Sequence, residues 1–414
     1  MKTVPAIALF FVLHLCCHAW AADPPLPKAA EAGEARQVNV LPEIKELPDP
    51  FLMANGVRVQ TLADWKRRRE EIKALLLHYE FGRMPPAPGN VTAEESASRE
   101  ILGGTAVERH VRLSFGPNHR LKLHVVLTMP KGAGPFPAIV RNCGETQISK
   151  TPPAIVATVV GRGYLLAEYL RTDLQPDDTS DVGLARAAYP DYDWGTLAVW
   201  AWGGMRVIDY LLTLPEVDRK KIAVTGHSRG GKTALLTSAL DERVTLSVPN
   251  AGGGGGFQCW RFPLAATDVA GRARHESLPM MAEVRTYWFH RRLLDFAAKP
   301  AGLPLDQHFL AALVAPRPLC AIECMDDLYC TPLCVQRSYQ AAAVVYQWLG
   351  VGDKLGVYFR QKGGHQQGPE DWATLLDFAD LTFCGKHPPK SRKFDTLPYP
   401  DAQPAFFWQA PPKP

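Results

Sequence analysis

The segment IAVTGHSRGGK, from Ile222 to Lys232, constrains the fold more than any other part of the chain. An apolar run enters Gly226-His227-Ser228-Arg229-Gly230, and a helical pattern follows at once. Both glycines belong to a turn so sharp that side chains there would collide, which leaves Ser228 strained with its hydroxyl exposed above a sheet. The backbone N–H of Arg229, at the helix N-terminus, can donate to an oxyanion. The segment therefore predicts Ser228 as a nucleophile, the alternative being an ordinary serine in a tight turn.

The rest of the chain supplies the sheet that such a turn needs. A helical pattern over residues 65–79 precedes two runs, 107–115 and 121–129, that alternate like antiparallel strands. Short apolar runs then alternate with helical segments, which is typical of a mostly parallel sheet with helices on both faces. This order predicts an α/β-hydrolase fold, a three-layer sandwich. The predicted strands are 136–140, 164–168, 222–225, 245–248, 319–322 and 356–359; the predicted helices are 153–160, 194–214, 230–240, 333–349 and 369–384.

A serine hydroxyl needs a base, and the base needs an acid to orient it. In this fold the acid follows a late strand and the histidine follows the last one. His365, in KGGHQ directly after strand 356–359, has that setting. The loop after strand 319–322 carries two adjacent carboxylates, of which only one can face His365. The spacing to the following proline favours Asp327, with Asp326 as the alternative and a solvated turn aspartate as the bland interpretation.

Composition excludes several classes of protein. The apolar share of 46% and the charged share of 21% are those of a soluble globular chain, not of a disordered or fibrous one. Forty-six Lys and Arg against 42 Asp and Glu leave a net charge of +4 without a run of five like charges. We therefore expect no nucleic-acid partner and, once a signal peptide is removed, no membrane partner.

The N-terminus predicts export. Met1-Lys2, an apolar run over residues 6–17 and Ala19-Trp20-Ala21 fit a secretory signal peptide over residues 1–21. We expect a secreted or periplasmic monomer with a Pro/Ala-rich extended segment at 22–47, a catalytic domain at 48–386 and a Pro-rich tail at 387–414, the tails either wrapped on the core or hanging from it.

Seven of the nine cysteines lie beyond the predicted signal peptide. Cys320, Cys324, Cys330 and Cys334 have superficially zinc-like spacing, but the first two fall on a predicted buried strand, so we expect no metal. An oxidising compartment permits a disulfide, and Cys259 with Cys330 or Cys334 is one possibility.

With these residues placed, residues 194–240 and Cys259-Trp260-Arg261 resemble the glucuronoyl esterases, a carbohydrate esterase family, and most closely its bacterial branch. The similarity runs from about Pro48 to Phe383 and includes FGRMPPAP, LPLDQHFLAALVAPRP and KGGH. Such enzymes cleave the ester between 4-O-methyl-glucuronic acid on xylan and lignin alcohols without a metal or organic cofactor. The resemblance implies that Ser228 is the nucleophile and His365 the base.

The resemblance also implies residues that bind the substrate, and most of them have an alternative interpretation as ordinary structural or surface residues. Arg229 would help to hold the oxyanion and Lys232 would contact sugar hydroxyls, unless Lys232 is a solvated helix lysine. Glu276 would contact the substrate, unless it is a surface glutamate. Trp260 is a candidate substrate contact, although a core aromatic is the favoured interpretation. Tyr329 takes the place of an aromatic sugar contact that is often tryptophan.

This sequence departs from the fungal members at the acid. Ala251 stands where their glutamate would be, which favours an acid after the later strand, as in some bacterial members, and thus Asp327. His227 and Gln366 replace the cysteines that flank the nucleophile and the base. The predicted function is hydrolysis of glucuronoyl esters of plant polysaccharide. The alternatives are an acetyl or other polysaccharide esterase, a peptidase on the same fold, or a noncatalytic carbohydrate-binding relative.

Overall fold

The computed structural model describes residues 41–144, 151–179, 182–262, 275–327 and 329–413. The predicted signal peptide and residues 22–40 of the predicted extended segment lie outside this range, so they and the predicted domain boundaries remain predictions. Among the described helices, none has the length and apolar character that crossing a bilayer requires.

One mixed sheet organises the described part of the chain. Its order is β1-β2-β3-β5-β4-β6-β7-β8-β9, antiparallel from β1 through β3 to β5 and parallel from β5 onward. The prediction of a mostly parallel sheet of the α/β-hydrolase type is confirmed. The strands are β1 Thr92–Ile101, β2 Ala106–Phe115, β3 Leu121–Pro130, β4 Phe136–Cys143, β5 Leu165–Leu170, β6 Val217–His227, β7 Leu246–Asn250, β8 Leu319–Cys324 and β9 Leu355–Arg360.

Helices connect the parallel strands and cover the sheet. The first of them continues into a π-helical turn at Leu77–Phe81, and the predicted helices agree with those observed to within a few residues at each end. The helices are α1 Leu62–Leu76, α2 Pro153–Gly161, α3 Leu184–Ala188, α4 Thr196–Leu211, α5 Arg229–Leu240, α6 Leu278–Val284, α7 Arg291–Leu294, α8 His308–Val314, α9 Pro332–Trp348 and α10 Pro369–Cys384.

The core occupies both faces of the sheet. On one face, apolar residues of β4 to β8 pack with α2 and α10, as Ala223 does in β6. Its neighbours Ile222 and Val224 are also buried, and successive side chains of a strand point to opposite faces. Helix α5, which contacts β6 and β7 and packs on α4 and α8, belongs to that second face. Two covered faces explain why the parallel strands read as continuous apolar runs.

Strand β1 was not predicted. All of its residues except Ile101 are exposed, and its sequence TAEESASREI is polar on both faces, so no apolar alternation marks it. It pairs with β2 at the edge of the sheet through a register shift between Glu95 and Ala97. Backbone pairing with a neighbour defines this strand, and that pairing leaves no local signal in the sequence.

The segment after α10 packs on the body of the protein. Trp408 is 9% exposed, stacks on Phe406 and donates its indole N–H to the Leu47 carbonyl at 2.7 Å. The Leu47 N–H donates to the Ala405 carbonyl at 2.8 Å, so the first and last described segments are hydrogen-bonded to each other. Of the two predicted arrangements, the described part of the tail adopts the wrapped one.

The described cysteines are all free thiols. Cys259 donates to the Arg261 carbonyl and Cys334 to the Phe262 carbonyl, and Cys330 donates to the Ala251 carbonyl. Neither suggested disulfide of Cys259 is formed in this structure.

Candidate active site

Ser228 lies in the turn between β6 and α5 with φ 58° and ψ −124°, a left-handed conformation that is costly for a residue with a side chain. A Cβ at Gly226 would fall 2.3 Å from the Gly230 carbonyl oxygen, and one at Gly230 would fall 2.6 Å from Oδ1 of Asn142. The turn is therefore closed to side chains at both glycine positions, as the sequence predicts. The Ser228 N–H donates to the Asn250 carbonyl at 3.0 Å, which ties the turn to β7.

The structure brings His365 and Asp327 to Ser228 in a linear relay. His365 Nε2 lies 2.8 Å from Ser228 Oγ, and His365 Nδ1 lies 2.7 Å from Asp327 Oδ2. An ionised carboxylate only accepts hydrogen bonds, so Nδ1 carries the proton and Nε2 is left to accept from the serine hydroxyl. This tautomer is the one that a general base opposite a serine needs.

Asp327 is held as an anion. Its side chain is fully buried, and its second oxygen accepts the backbone N–H groups of Tyr329 at 2.8 Å and Cys330 at 3.3 Å. Burial raises the pKa of Asp327, but the bond and charge of His365 and these backbone donors outweigh it, so the pKa lies below its usual value. The carboxylate therefore stays charged opposite His365 at neutral pH.

Asp326, the alternative acid, faces away from the imidazole. Its carboxylate accepts the N–H of Gly364 at 2.7 Å and that of Gly363 at 3.1 Å, as well as the Cys324 thiol. These three donors lower the pKa of Asp326 to about 2. Asp326 fastens the loop that carries His365, while Asp327 contacts the ring itself.

A pocket of about 300 Å³ opens beside Ser228. Arg229 begins α5, so its backbone N–H has no acceptor within the helix and is free to bind an anion. The Arg229 guanidinium also lines the pocket, is bonded to the Asp177 carboxylate and lies 5.2 Å from the centre of the Trp288 ring. The remaining lining is Arg141, Asn142, Cys143, Gly144, Arg171, Thr172, His227 and His365.

His227 is a neutral neighbour of the relay. Its ring centre lies 4.6 Å from that of His365, and its Nδ1 lies 2.7 Å from Asn250 Oδ1. Burial, followed by the charge of His365, lowers the pKa of His227 to about 4. It therefore adds no positive charge next to the base at neutral pH.

The structure brings Lys232 and Glu276 into contact with each other. The Lys232 side chain has no exposed surface, and its ammonium donates to the Gly252 carbonyl and to the Glu276 carboxylate. Glu276 is buried as well. The alternative interpretations, a solvated helix lysine and a surface glutamate, are therefore both wrong. In this structure the two form a buried ion pair, and neither side chain is exposed to the pocket surface.

The run of glycines at 252–256 explains how this pair is covered. A Cβ on Gly253 would fall 2.1 Å from a carboxylate oxygen of Glu276, and one on Gly255 would fall 2.4 Å from the Phe289 ring. Any side chain there would push the loop off the ion pair. The sequence alone does not predict this role, because it depends on contacts with Glu276 and Phe289, which lie far along the chain.

Trp260 is a core residue, as the sequence favours, and it is not an exposed substrate contact in this structure. It is 1% exposed and packs edge-on against Phe289 at a centroid distance of 5.6 Å. Tyr329 is 36% exposed and its ring lies 5.0 Å from that of His365. Of the four predicted contacts, Tyr329 alone is exposed beside the triad.

Among the described residues, one group could bring three metal-ligating atoms together, and it overlaps the relay. It consists of Asp327, Cys330 and His365, with the ligand atoms within 4.8 Å of one another. Asp327 and His365 are bonded to each other, and the Cys330 thiol donates to the Ala251 carbonyl. Burial also raises the pKa of Cys330, which disfavours the thiolate that a metal needs.

Sequence reasoning missed Asp177, which holds the Arg229 guanidinium. It lies in the loop after β5, in the acidic stretch TDLQPDDTSD, where nothing distinguishes it from its neighbours. The one available signal is its position after a parallel strand at the carboxyl edge of the sheet, where α/β folds place ligand sites.

Comparison with known proteins agrees with this geometry. The sequence family described as "Glucuronyl esterase, fungi" matches residues 116–350. A 4-O-methyl-glucuronoyl methylesterase of Cerrena unicolor is 33% identical over 329 residues, which cover 77% of this chain and 65% of that protein. The chain thus spans slightly less than two thirds of that relative. A carbohydrate esterase of an unknown prokaryotic organism is 27% identical over 440 residues, covering 91% of this chain and 98% of that protein.

Solved structures give the same result. A carbohydrate esterase family 15 glucuronoyl esterase from Caldicellulosiruptor kristjansonii superposes with a TM-score of 0.73 at 29% sequence identity, covering 89% of this chain and 97% of that structure. The family match extends over more than half of the chain and includes Ser228 and Asp327. On these grounds the chain belongs to the glucuronyl esterase family, on an α/β-hydrolase fold.

Proposed function

We propose that this protein is a secreted serine carboxylic ester hydrolase that cleaves 4-O-methyl-glucuronoyl esters between xylan and lignin alcohols. The observation that carries the proposal is the relay itself: Ser228 Oγ, His365 and Asp327 are joined at 2.8 and 2.7 Å beside an open pocket. A noncatalytic relative would have no need of a strained serine aligned with a base of the correct tautomer.

The reaction follows from these contacts. Ser228 Oγ attacks the ester carbonyl carbon as His365 Nε2 takes the hydroxyl proton, and Asp327 stabilises the imidazolium that forms. The carbonyl oxygen becomes an oxyanion, which accepts hydrogen bonds from the Arg229 backbone N–H and guanidinium. His365 returns the proton to the leaving alcohol, and an ester of Ser228 remains.

Water completes the cycle. His365 takes a proton from a water molecule, whose oxygen attacks the acyl-enzyme at the face the alcohol has left. The second tetrahedral intermediate collapses to a free uronic acid, and the proton passes from His365 to Ser228. Each step uses the side chains of the relay together with the backbone N–H and guanidinium of Arg229 at the start of α5.

The substrate assignment rests on the relatives and on the polarity of the pocket. Relatives are named 4-O-methyl-glucuronoyl methylesterases, and one solved neighbour holds methyl 4-O-methyl-β-D-glucopyranuronate. Three arginines, Arg141, Arg171 and Arg229, line the pocket here, which favours an oxygen-rich ligand over an acyl chain. Of the predicted sugar contacts, Tyr329 is exposed at the site, while Lys232 and Glu276 are buried and keep one ammonium N–H and one carboxylate oxygen outside the bonds described above.

The test compares two esters. Protein beginning at Ala22 is assayed with benzyl glucuronate and with para-nitrophenyl acetate, using Ser228→Ala as the control. We expect a higher kcat/KM for the glucuronate and loss of both activities in the variant. Hydrolysis of the acetate alone would replace this proposal with a general acetyl esterase, and turnover of neither ester would overturn it in favour of a binding protein.

A further inference from the structure

Asp177 collects hydrogen bonds from three sides. Its Oδ1 accepts the Trp288 indole N–H at 2.9 Å and the Tyr287 hydroxyl at 3.1 Å, and its Oδ2 accepts the Arg229 guanidinium. The Tyr287 hydroxyl also lies 2.9 Å from the Asp177 carbonyl oxygen. The Asp177 side chain is only 16% exposed. A carboxylate with this many donors is fixed in position and direction.

The donors to Asp177 are themselves anchored. The N–H of Thr196 donates to the Tyr287 carbonyl at 3.0 Å, and that of Leu197 donates to the Trp288 carbonyl at 3.1 Å. Because these two amides open α4, the Tyr287-Trp288 segment is attached to a helix of the core. Asp177 is therefore held in place by a segment that is bonded to α4, and its remaining oxygen is free to fix the position of Arg229.

The Arg229 guanidinium is bound to Asp177 on the side that faces the pocket. The guanidinium is held at one nitrogen by Asp177 and on one face by the Trp288 ring, while its side chain remains 35% exposed and lines the pocket. A guanidinium carries five N–H donors, so those not taken by Asp177 remain for a ligand in the pocket. An arginine without these two contacts would sample many rotamers.

The charges around Asp177 leave a surplus for an anion. Arg171, 8% exposed, places a guanidinium nitrogen 4.0 Å from the same Asp177 oxygen that Arg229 contacts. Two guanidinium groups thus share one carboxylate and retain a net positive charge beside Ser228. A tetrahedral oxyanion formed there would supply the missing negative charge.

We propose that Asp177 is a positioning residue that aims the Arg229 guanidinium at the oxyanion formed on the Ser228 ester. This inference rests on the proposed function. Because the oxyanion exists only in the transition state and intermediates, Asp177 affects kcat far more than KM. Its contribution acts through Arg229 and vanishes when Arg229 is absent.

The test is a double-mutant cycle with benzyl glucuronate as the substrate. We expect Arg229→Ala to lower kcat about 100-fold, as loss of an oxyanion donor does. Asp177→Asn is expected to lower kcat about tenfold with KM within about twofold, and Asp177→Glu to recover part of the loss. The double variant is expected to match Arg229→Ala alone, since nothing remains to be positioned.

The matched control is Asp173→Asn. Asp173 lies four residues earlier and binds the His124 N–H and ring at 2.8 Å, apart from the pocket, so its replacement is expected to leave kcat unchanged. If Asp177→Asn does not fold, Tyr287→Phe removes one donor to Asp177 and is expected to lower kcat about twofold to threefold. That loss too should be absent when Arg229 is alanine.

The outcomes separate this inference from the proposed function. Losses that multiply in the double variant, or a change in KM alone, would overturn the positioning of Arg229 by Asp177. An unchanged kcat in Asp177→Asn would do the same. Wild-type kcat in Arg229→Ala, or turnover by Ser228→Ala, would instead refute the proposed chemistry.

Discussion

Replacing Asp327 and Asp326 separately tests which of two adjacent carboxylates orients the base. Asp327 Oδ2 lies 2.7 Å from His365 Nδ1, and the imidazole becomes positively charged when it takes the serine proton. At an effective dielectric constant of about 20, unit charges about 3 Å apart attract by roughly 5 kcal/mol. Asp327→Asn removes this attraction and favours the wrong tautomer of His365.

A loss of about 5 kcal/mol in the transition state corresponds to a fall in kcat of several thousandfold. Asp326→Asn is the matched control, because it makes the same chemical change one residue earlier. Its amide oxygen can still accept the Gly364 N–H at the place where the carboxylate does at 2.7 Å. We therefore expect Asp326→Asn to lower kcat less than about tenfold.

Steady-state kinetics with benzyl glucuronate at neutral pH measure both effects, and thermal unfolding verifies that each variant is folded. The reasoning fails if Asp327→Asn retains more than about a tenth of the wild-type kcat, or if Asp326→Asn is the more damaging change, because a transition-state charge contact should dominate.

Three further predictions concern stability. Burial raises the pKa of Glu80 to about 8, so the folded state holds this proton more tightly than the unfolded chain, whose pKa is near 4.5. The carboxyl's contribution to stability is complete below about pH 4.5 and is lost as pH rises towards 8, by an amount on the order of 4 kcal/mol. Urea unfolding at pH 5 and pH 8.5 should show this loss in the wild type and much less of it in Glu80→Gln; equal pH dependence would contradict it. Trp408→Ala should lower the free energy of unfolding by about 3 kcal/mol, because the indole is buried and bonded to Leu47. An unchanged urea midpoint would mean that the tail does not stabilise the core. Gly226→Ala should lower the free energy of unfolding by about 1–3 kcal/mol and remove most of the esterase activity, because its Cβ would collide with the Gly230 carbonyl. A fully active and fully stable variant would show that the turn can accept a side chain at this position.

Local patterns were sufficient for the fold and for two members of the relay. The strand, turn and helix around Ser228 are contiguous in the chain, and His365 follows the last strand, so position in sequence translates directly into position in space. The fold prediction is confirmed by the sheet and by the solved relatives. The choice between Asp326 and Asp327 depended on which side chain the loop turns inward, and residue types alone do not determine that.

The settings that the sequence did not predict share one physical cause. Whether Lys232 faces solvent depends on Glu276, 44 residues later, and on a glycine run that closes over both. Asp177 gains its importance from Arg229, Tyr287 and Trp288, all contributed by later segments. Such settings are created by tertiary contacts between distant residues, so no local period or spacing announces them.

The structure also describes the surroundings of Ala251, the position at which the resemblance places the acid of the fungal members. Ala251 is 2% exposed, and its N–H and carbonyl bond to Ile322 and Cys330, the carbonyl accepting the Cys330 thiol at 3.2 Å. The backbone of this segment is thus tied to β8 and to the loop that carries Asp327. Asp327, in the loop after β8, reaches His365 Nδ1 at 2.7 Å.

The most direct test of the central claim is covalent labelling of the nucleophile by a phosphonate ester, followed by peptide mass spectrometry. Our account predicts one adduct, on Ser228, that forms far more slowly in His365→Ala and not at all in Ser228→Ala, with benzyl glucuronate hydrolysis lost in proportion to labelling. An adduct on another residue, or full hydrolytic activity after Ser228 is labelled, would contradict the account.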